Sequence, residues 1–186
     1  MTIISESNNH MIIAISETEA GKIQPKKKYV WVNSDTGEEA KFLNFYIDFD
    51  AEIKKLMYAN SINDLMVKFI RKDKFENDKD MLVMERLYPI DFKTLSKNDR
   101  ISFYDKFDKQ ITELHVMGFI HGDIMHPVRA EPDFLFNNII TTENGLRLVD
   151  TGFSIIEQDE PDKERYRSLL RQELYEVIDF KNCYLF

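Results

Sequence analysis

Three short motifs in the second half of the chain hold residue types suited to chemistry on a phosphate. His121-Gly122-Asp123 follows the apolar pair Phe119-Ile120. Asn138 opens Asn138-Ile139-Ile140, and Asp150 opens Asp150-Thr151-Gly152 twelve residues later. A carboxylate at a helix-to-loop junction, here Asp123, can orient or deprotonate a hydroxyl. An Asn and an Asp flanking a tight hairpin can converge on one divalent cation, and oxygen ligands of that kind suit Mg2+ carried by a nucleotide. Phosphoryl transfer needs this division of labour: position the nucleophile, hold the metal, neutralise the phosphates.

The elements that must position these residues can be read from periodicity. Ser96-Lys97-Asn98-Asp99 has the form of a capping box, with Asp in place of Glu or Gln. Tyr104, Phe107, Ile111 and Leu114 then recur at helical spacing until Gly118 stops the helix. Asn138–Thr141 and Leu146–Val149 flank Glu143-Asn144-Gly145, which predicts a hairpin. Pro161 suits the start of a last helix, with a stripe of Tyr166, Leu169, Leu170, Leu174, Val177 and Ile178. Upstream, Met11–Ile15 reads as a strand, and Tyr29–Val32 with Lys41–Phe45 as a hairpin around Asn33–Gly37. Asp50 is placed to cap a helix over Ala51–Ala59, buried through Ile53, Leu56 and Met57. Leu65–Ile70 and Met81–Leu87 read as an antiparallel pair around the charged turn Lys72–Asp80. The expected class is α+β, segregated into two lobes: residues 1–84, β-rich with one helix, and residues 85–186, mainly helical.

This ordered set resembles the protein-kinase superfamily. His121-Gly122-Asp123 is similar to its catalytic-loop H-x-D, Asn138 to its metal-binding Asn, and Asp150-Thr151-Gly152 to a variant of D-F-G. The middle glycine and the stretch Val149–Ser154 resemble small atypical kinases, the kinase subunit of the KEOPS complex and small bacterial effector kinases among them. The resemblance implies a bilobal protein-kinase-like fold with a truncated C-lobe, and ATP with Mg2+ as cofactors. It implies catalytic roles for Asp123 and His121 and metal ligation by Asn138 and Asp150. It makes Lys41, in Glu39-Ala40-Lys41-Phe42, the phosphate-holding lysine and Glu52 its partner on the following helix. It makes Met84 the gatekeeper and the backbones of Glu85 and Leu87 the adenine contacts. The activity implied is Ser/Thr protein phosphorylation. Pseudokinase and small-molecule phosphotransferase are the alternatives.

The sequence departs from that pattern in several places. Gly21 is the only glycine before Tyr29, so no Gly-rich loop is visible. Asp123 and Asn138 are fifteen residues apart, whereas the family step is about five. The insert, Ile124 to Asn137, carries Pro127 and Pro132, which argue against a helix, and Arg129, its only fixed positive charge. Arg129, or His126, is the expected contact to the transferred phosphate or to an acidic acceptor. Thr151 stands where the family has Phe. The 36 residues after Asp150 contain no A-P-E segment. They leave no room for a peptide-docking subdomain, so a protein acceptor is expected to be gripped by the insert, by the last helix or through an activating protein partner.

Composition sets the outer limits. The chain has 186 residues, a net charge of −8 and 43% hydrophobic residues. That is enough for a core and argues against global disorder. The acidic balance argues against direct nucleic-acid binding, which needs a basic footprint. One cysteine, Cys183, excludes an internal disulfide framework. No run approaches the roughly 18 apolar residues of a membrane span. The expected location is cytoplasmic, or the host cytoplasm for a secreted effector.

Overall fold

The structure is a computed structural model. It describes residues 2–6, 10–23, 31–32, 39–40, 48–125 and 136–186. The chain divides into two compact units. Unit 1 comprises Met1–Ala51 and Phe69–Arg86, and unit 2 comprises Glu52–Lys68 and Leu87–Phe186.

Unit 1 is built on a five-stranded antiparallel sheet. Its strands are β1 (Thr2–Glu6), β2 (Met11–Ala14), β3 (Glu19–Ile23), β6 (Phe69–Phe75) and β7 (Lys79–Glu85), in the order β1-β2-β3-β7-β6. One face of the sheet is apolar: Met11, Ile13, Ile23, Met81 and Val83 are buried together, with Phe75 packed against them. The β2–β3 turn is tied by Ser16, whose hydroxyl accepts from the N–H groups of Thr18 and Glu19 at 3.2 and 3.0 Å. Gly21 lies opposite Val83, where a Cβ would stand 2.5 Å from Met81 Sδ. A side chain at Gly21 would have to push the flexible end of Met81 aside.

Two short strands, β4 (Trp31–Val32) and β5 (Glu39–Ala40), form a separate two-stranded hairpin. The third strand of the main sheet is therefore β3, not the strand next to Lys41. The β6–β7 pair forms as expected but reaches further into the charged segment. Lys72 and Lys74 meet Asp80 across the strands at 3.2 and 2.5 Å. Asn77 and Asp78 make the turn at φ 59° and 58°. Leu65–Val67 belongs to unit 2 instead: Val67 N–H donates to Leu148 O at 2.8 Å, and Leu148 N–H to Leu65 O at 2.9 Å.

Unit 2 takes most of helix α1 (Phe49–Asn60), which residue 51 divides from unit 1. Asp48, not Asp50, holds the start of α1, accepting from the N–H groups of Asp50 and Ala51 at 3.0 Å each. Within unit 2 the buried face of α1 is Glu52, Leu56 and Ala59, while Met57 is exposed. The face is rotated from the expected one because a carboxylate occupies the inner position.

Helix α2 (Lys97–Val116) matches its sequence expectation closely. Ser96 Oγ accepts from Asp99 N–H at 3.1 Å and donates to the Asp99 carboxylate at 2.6 Å. Tyr104, Phe107, Ile111 and Leu114 are buried, and Gly118 turns the chain at φ 81°. Two strand pairs follow: β8 (Phe119–Ile120) with β11 (Ile155–Ile156), and β9 (Ile139–Thr142) with β10 (Gly145–Leu148).

Helix α3 (Lys163–Leu185) starts on Asp162, whose side chain accepts from Glu164 and Arg165 N–H. Its inner face is Tyr166, Glu173, Glu176, Val177, Phe180 and Tyr184, and Leu174 and Ile178 are exposed. The all-apolar stripe expected from sequence is thus corrected: two carboxylates take inner positions. Rings from α2 and α3 pack beside them, Phe107 on Phe180 at 5.3 Å and Phe180 on Tyr184 at 5.2 Å. Among the described residues no helix is long and apolar enough to cross a membrane.

Candidate active site

Unit 2 brings five of the sequence-selected residues into one bonded network. The loop after β8 begins with His121, which is fully buried. Its Nε2 lies 2.9 Å from the Val149 carbonyl, and its Nδ1 lies 3.3 Å from the Asp123 N–H. A carbonyl only accepts and a backbone N–H only donates. The ring therefore donates from Nε2 and accepts on Nδ1. His121 thereby links the backbone of Asp123 to the residue just before Asp150.

Gly122 allows the turn that separates them. Its φ is +79°, and a Cβ there would stand 2.6 Å from the Phe153 carbonyl oxygen. Neither the left-handed backbone nor the close approach admits a side chain without movement. Ser154 closes the same corner, donating its hydroxyl to the His121 carbonyl at 2.9 Å.

Asn138 meets Asp123 across the fifteen-residue separation. Its Nδ2 donates to the Asp123 backbone carbonyl at 2.7 Å and to the Asp123 carboxylate at 2.9 Å. With the nitrogen side of the planar amide committed to Asp123, its Oδ1 faces the other way. Val149 N–H bonds the Asn138 carbonyl at 3.0 Å, which fixes the hairpin end that leads to Asp150. Asp150 itself sits at φ +66°. A non-glycine residue in that region costs roughly 1–2 kcal/mol, held only by surrounding structure. One hold is visible: Gly152 N–H donates to Asp150 Oδ1 at 3.0 Å. A Cβ on Gly152 would lie 3.2 Å from that Asp150 oxygen and 3.8 Å from Glu52 Oε1, so both carboxylates border the same glycine.

Two further residues, which the motifs do not include, anchor this loop from α3. Glu173 is 1% exposed. Its Oε1 accepts from His121 N–H at 3.0 Å and lies 2.8 Å from His115 Nε2, and its Oε2 accepts from Gly122 N–H at 2.5 Å. A buried carboxylate survives only with such partners. Glu176, one turn later, takes the Gln172 amide at 2.8 Å and the Met125 N–H. Burial pushes the Glu176 carboxyl above its ordinary value, the Gln172 and Met125 hydrogen bonds oppose this, and the Glu173 and Asp123 charges add to it. A carboxylate set inside an otherwise apolar helical stripe is the sequence signal that could have found both.

The donors fit a divalent cation shared with a nucleotide. Among the described residues no group of three or more His, Cys, Asp or Glu side chains forms a metal cage. Mg2+ is ordinarily held by one or two protein oxygens plus phosphates and water. An amide oxygen from Asn138 and a carboxylate from Asp150 are a donor set of that type.

The remaining sequence-selected residues fall elsewhere. Met84 is buried and Glu85 half-buried at the end of β7 in unit 1, and Leu87 is half-buried in unit 2. Lys41, His126 and Arg129 lie outside the described residues. Within unit 1, Lys22, on β3, is 3% exposed and registers with Leu82 of β7. Its sequence signal is the run Ala20-Gly21-Lys22 in the third strand, an Ala-x-Lys like that of the kinase V-A-I-K strand.

No family model and no curated protein matches the sequence. Among solved structures the chain is similar to the Legionella pneumophila Lpg2603 kinase bound to IP6, with a TM-score of 0.61 and 16% sequence identity. The match covers 99% of this chain, which spans 60% of the length of that kinase. The fold is therefore α+β and kinase-like.

Proposed function

We propose that the chain is an ATP- and Mg2+-dependent phosphotransferase, with Ser or Thr hydroxyls of a protein as the acceptor class. The observation that supports this most is the pair of hydrogen bonds from Asn138 to Asp123. They join the proposed acceptor-orienting carboxylate to an amide that is itself a proposed metal ligand. In this reading Asp123 aligns the acceptor hydroxyl and receives its proton as the oxygen bonds to the γ-phosphorus. The bond from that phosphorus to the β,γ-bridging oxygen breaks. Asn138 and Asp150 would hold Mg2+, which when bound neutralises phosphate charge. His121 keeps Asp123 in place through its two ring hydrogen bonds. Glu52 borders the metal-binding loop. Lys41 keeps its proposed role as the phosphate cation, and Lys22, buried on β3, is a second candidate for it. Met84, Glu85 and Leu87 keep their proposed adenine contacts.

The test is transfer from radiolabelled ATP with Mg2+ to generic and lysate proteins. It is run with and without IP6, the compound bound to the structural neighbour. Asp150→Asn should lower transfer about 10²–10³-fold, the usual loss on removing one charge-stabilising group. Of Lys41→Met and Lys22→Met, the one that removes the phosphate cation should lower it strongly. Transfer unchanged by Asp150→Asn would overturn the reading.

A further inference from the structure

Residues 52–58 of helix α1 are fastened to the segment that follows β10 and to the corner between α2 and β8. Thr151, 3% exposed, donates its hydroxyl to the Glu52 carbonyl at 3.2 Å. Lys55 Nζ donates to the carbonyls of Thr151 and Gly152 at 3.3 and 3.1 Å. Lys54 pairs with Asp159 at 2.7 Å. Tyr58 gives its hydroxyl to the Met117 carbonyl at 2.5 Å and stacks on Phe119, with centroids 6.5 Å apart.

One peptide group carries the consequence. The carbonyl of Thr151 and the N–H of Gly152 belong to the same planar unit. Lys55 holds its oxygen, and its N–H holds Asp150 Oδ1 at 3.0 Å. Rotating that plane would break both bonds together. Asp150 needs such a hold, because its φ of +66° is unfavourable for a residue with a side chain. An ammonium on the oxygen also polarises the peptide and strengthens the N–H as a donor. The second tie, from Thr151 to Glu52, fixes the same segment to the helix that bears the other carboxylate. Lys55 lies three residues after Glu52, so the two share a face of α1.

We propose that Lys55 and Thr151 are positioning residues of the transfer site. They hold Asp150 and Glu52 to one another by polar bonds, at the place where the family resemblance would put a packed Phe ring. This rests on the reading of Asp150 as a metal carboxylate. It goes beyond that reading by assigning the orientation of Asp150 to a lysine on α1 that bonds the backbone of its loop.

The test compares wild type with Lys55→Met, Thr151→Val, Lys55→Arg and Thr151→Ser. Circular dichroism confirms folding, and amide exchange is followed by residue. Lys55→Met should speed exchange of the Gly152 N–H and of α1 from residue 52 onward, with α2 unchanged. It should lower kcat about tenfold or more, the scale of a small misplacement. The Mg2+ concentration for half-maximal rate should rise, while KM for ATP changes less than about twofold. Thr151→Val should act in the same direction, and Lys55→Arg and Thr151→Ser should recover most of the loss. An active enzyme whose Mg2+ dependence and kcat ignore Lys55→Met overturns the proposal. If wild type transfers no phosphate, the catalytic reading fails on its own account. Gly152 exchange then decides: selective acceleration in Lys55→Met supports the latch, and unchanged exchange overturns it.

Discussion

Asn138 gives both of its amide hydrogens to Asp123, one to the backbone carbonyl at 2.7 Å and one to the carboxylate at 2.9 Å. The insert between them therefore leaves and returns at one bonded pair. Asn138→Ala should free the Asp123 carboxylate and lower kcat about a hundredfold, a typical loss for a misoriented acid–base group. Asn138→Asp should lose more, because two carboxylates would then stand within hydrogen-bond distance and repel. Steady-state rates of the two variants check this; Asn138→Asp exceeding Asn138→Ala would contradict it.

Glu173 uses both carboxylate oxygens, on two backbone N–H groups and one His ring. Glu173→Ala strands those buried donors. The expected cost is about 3–5 kcal/mol, which for a chain of this size lowers Tm by roughly 6–20 °C. Glu173→Gln should also destabilise, because one acceptor oxygen replaces two. Thermal unfolding measures both. A Glu173→Gln variant as stable as wild type would show that Gly122 N–H is not held by the second oxygen.

Gly122→Ala should be more damaging than a surface glycine change. The new Cβ meets a backbone oxygen at 2.6 Å at a φ of +79°, so the left-handed penalty of about 1–2 kcal/mol adds to a clash that neither backbone escapes. The expected variant folds with a lowered Tm and has lost transfer, since Asp123 rides on the displaced peptide. Gly145, also at positive φ but in open space, is the control: Gly145→Asn should keep most of the activity.

Glu176 makes a pH prediction. Its carboxyl is raised by burial foremost. The native state therefore binds more protons than the unfolded state between the ordinary Glu value, about 4.3, and the raised one. Stability falls as pH rises through that window, and the penalty is complete above it. Glu176→Gln keeps an acceptor for Met125 N–H and removes the titration. Its Tm should exceed that of wild type at pH 7, and the gap should close below the ordinary Glu range. A variant less stable than wild type at pH 7 would mean that the ionised carboxylate's bonds outweigh its burial.

Several parts of this protein are legible in the amino-acid sequence by itself. Helix α2 is readable because its cap, stripe and stop are all local: Ser96, the Tyr104-to-Leu114 spacing and Gly118. The β9–β10 hairpin is readable because Glu143-Asn144-Gly145 has turn chemistry of its own. The residue types at Asp123, Asn138 and Asp150 suggest phosphoryl transfer from their order alone. Tertiary structure decides the rest. It selects β3 as the third strand of the sheet, because strand order depends on pairing with β7, some sixty residues away. It turns Glu173 and Glu176 inward on α3, against the apolar expectation, because loop N–H groups about fifty residues upstream need acceptors. It puts Lys55 on the carbonyls of Thr151 and Gly152, ninety-six and ninety-seven residues on. Periodicity reports which face of an element avoids water. It carries no information on which distant backbone group a buried charge will satisfy, and the geometry around Asp123 and Asp150 depends on those distant bonds.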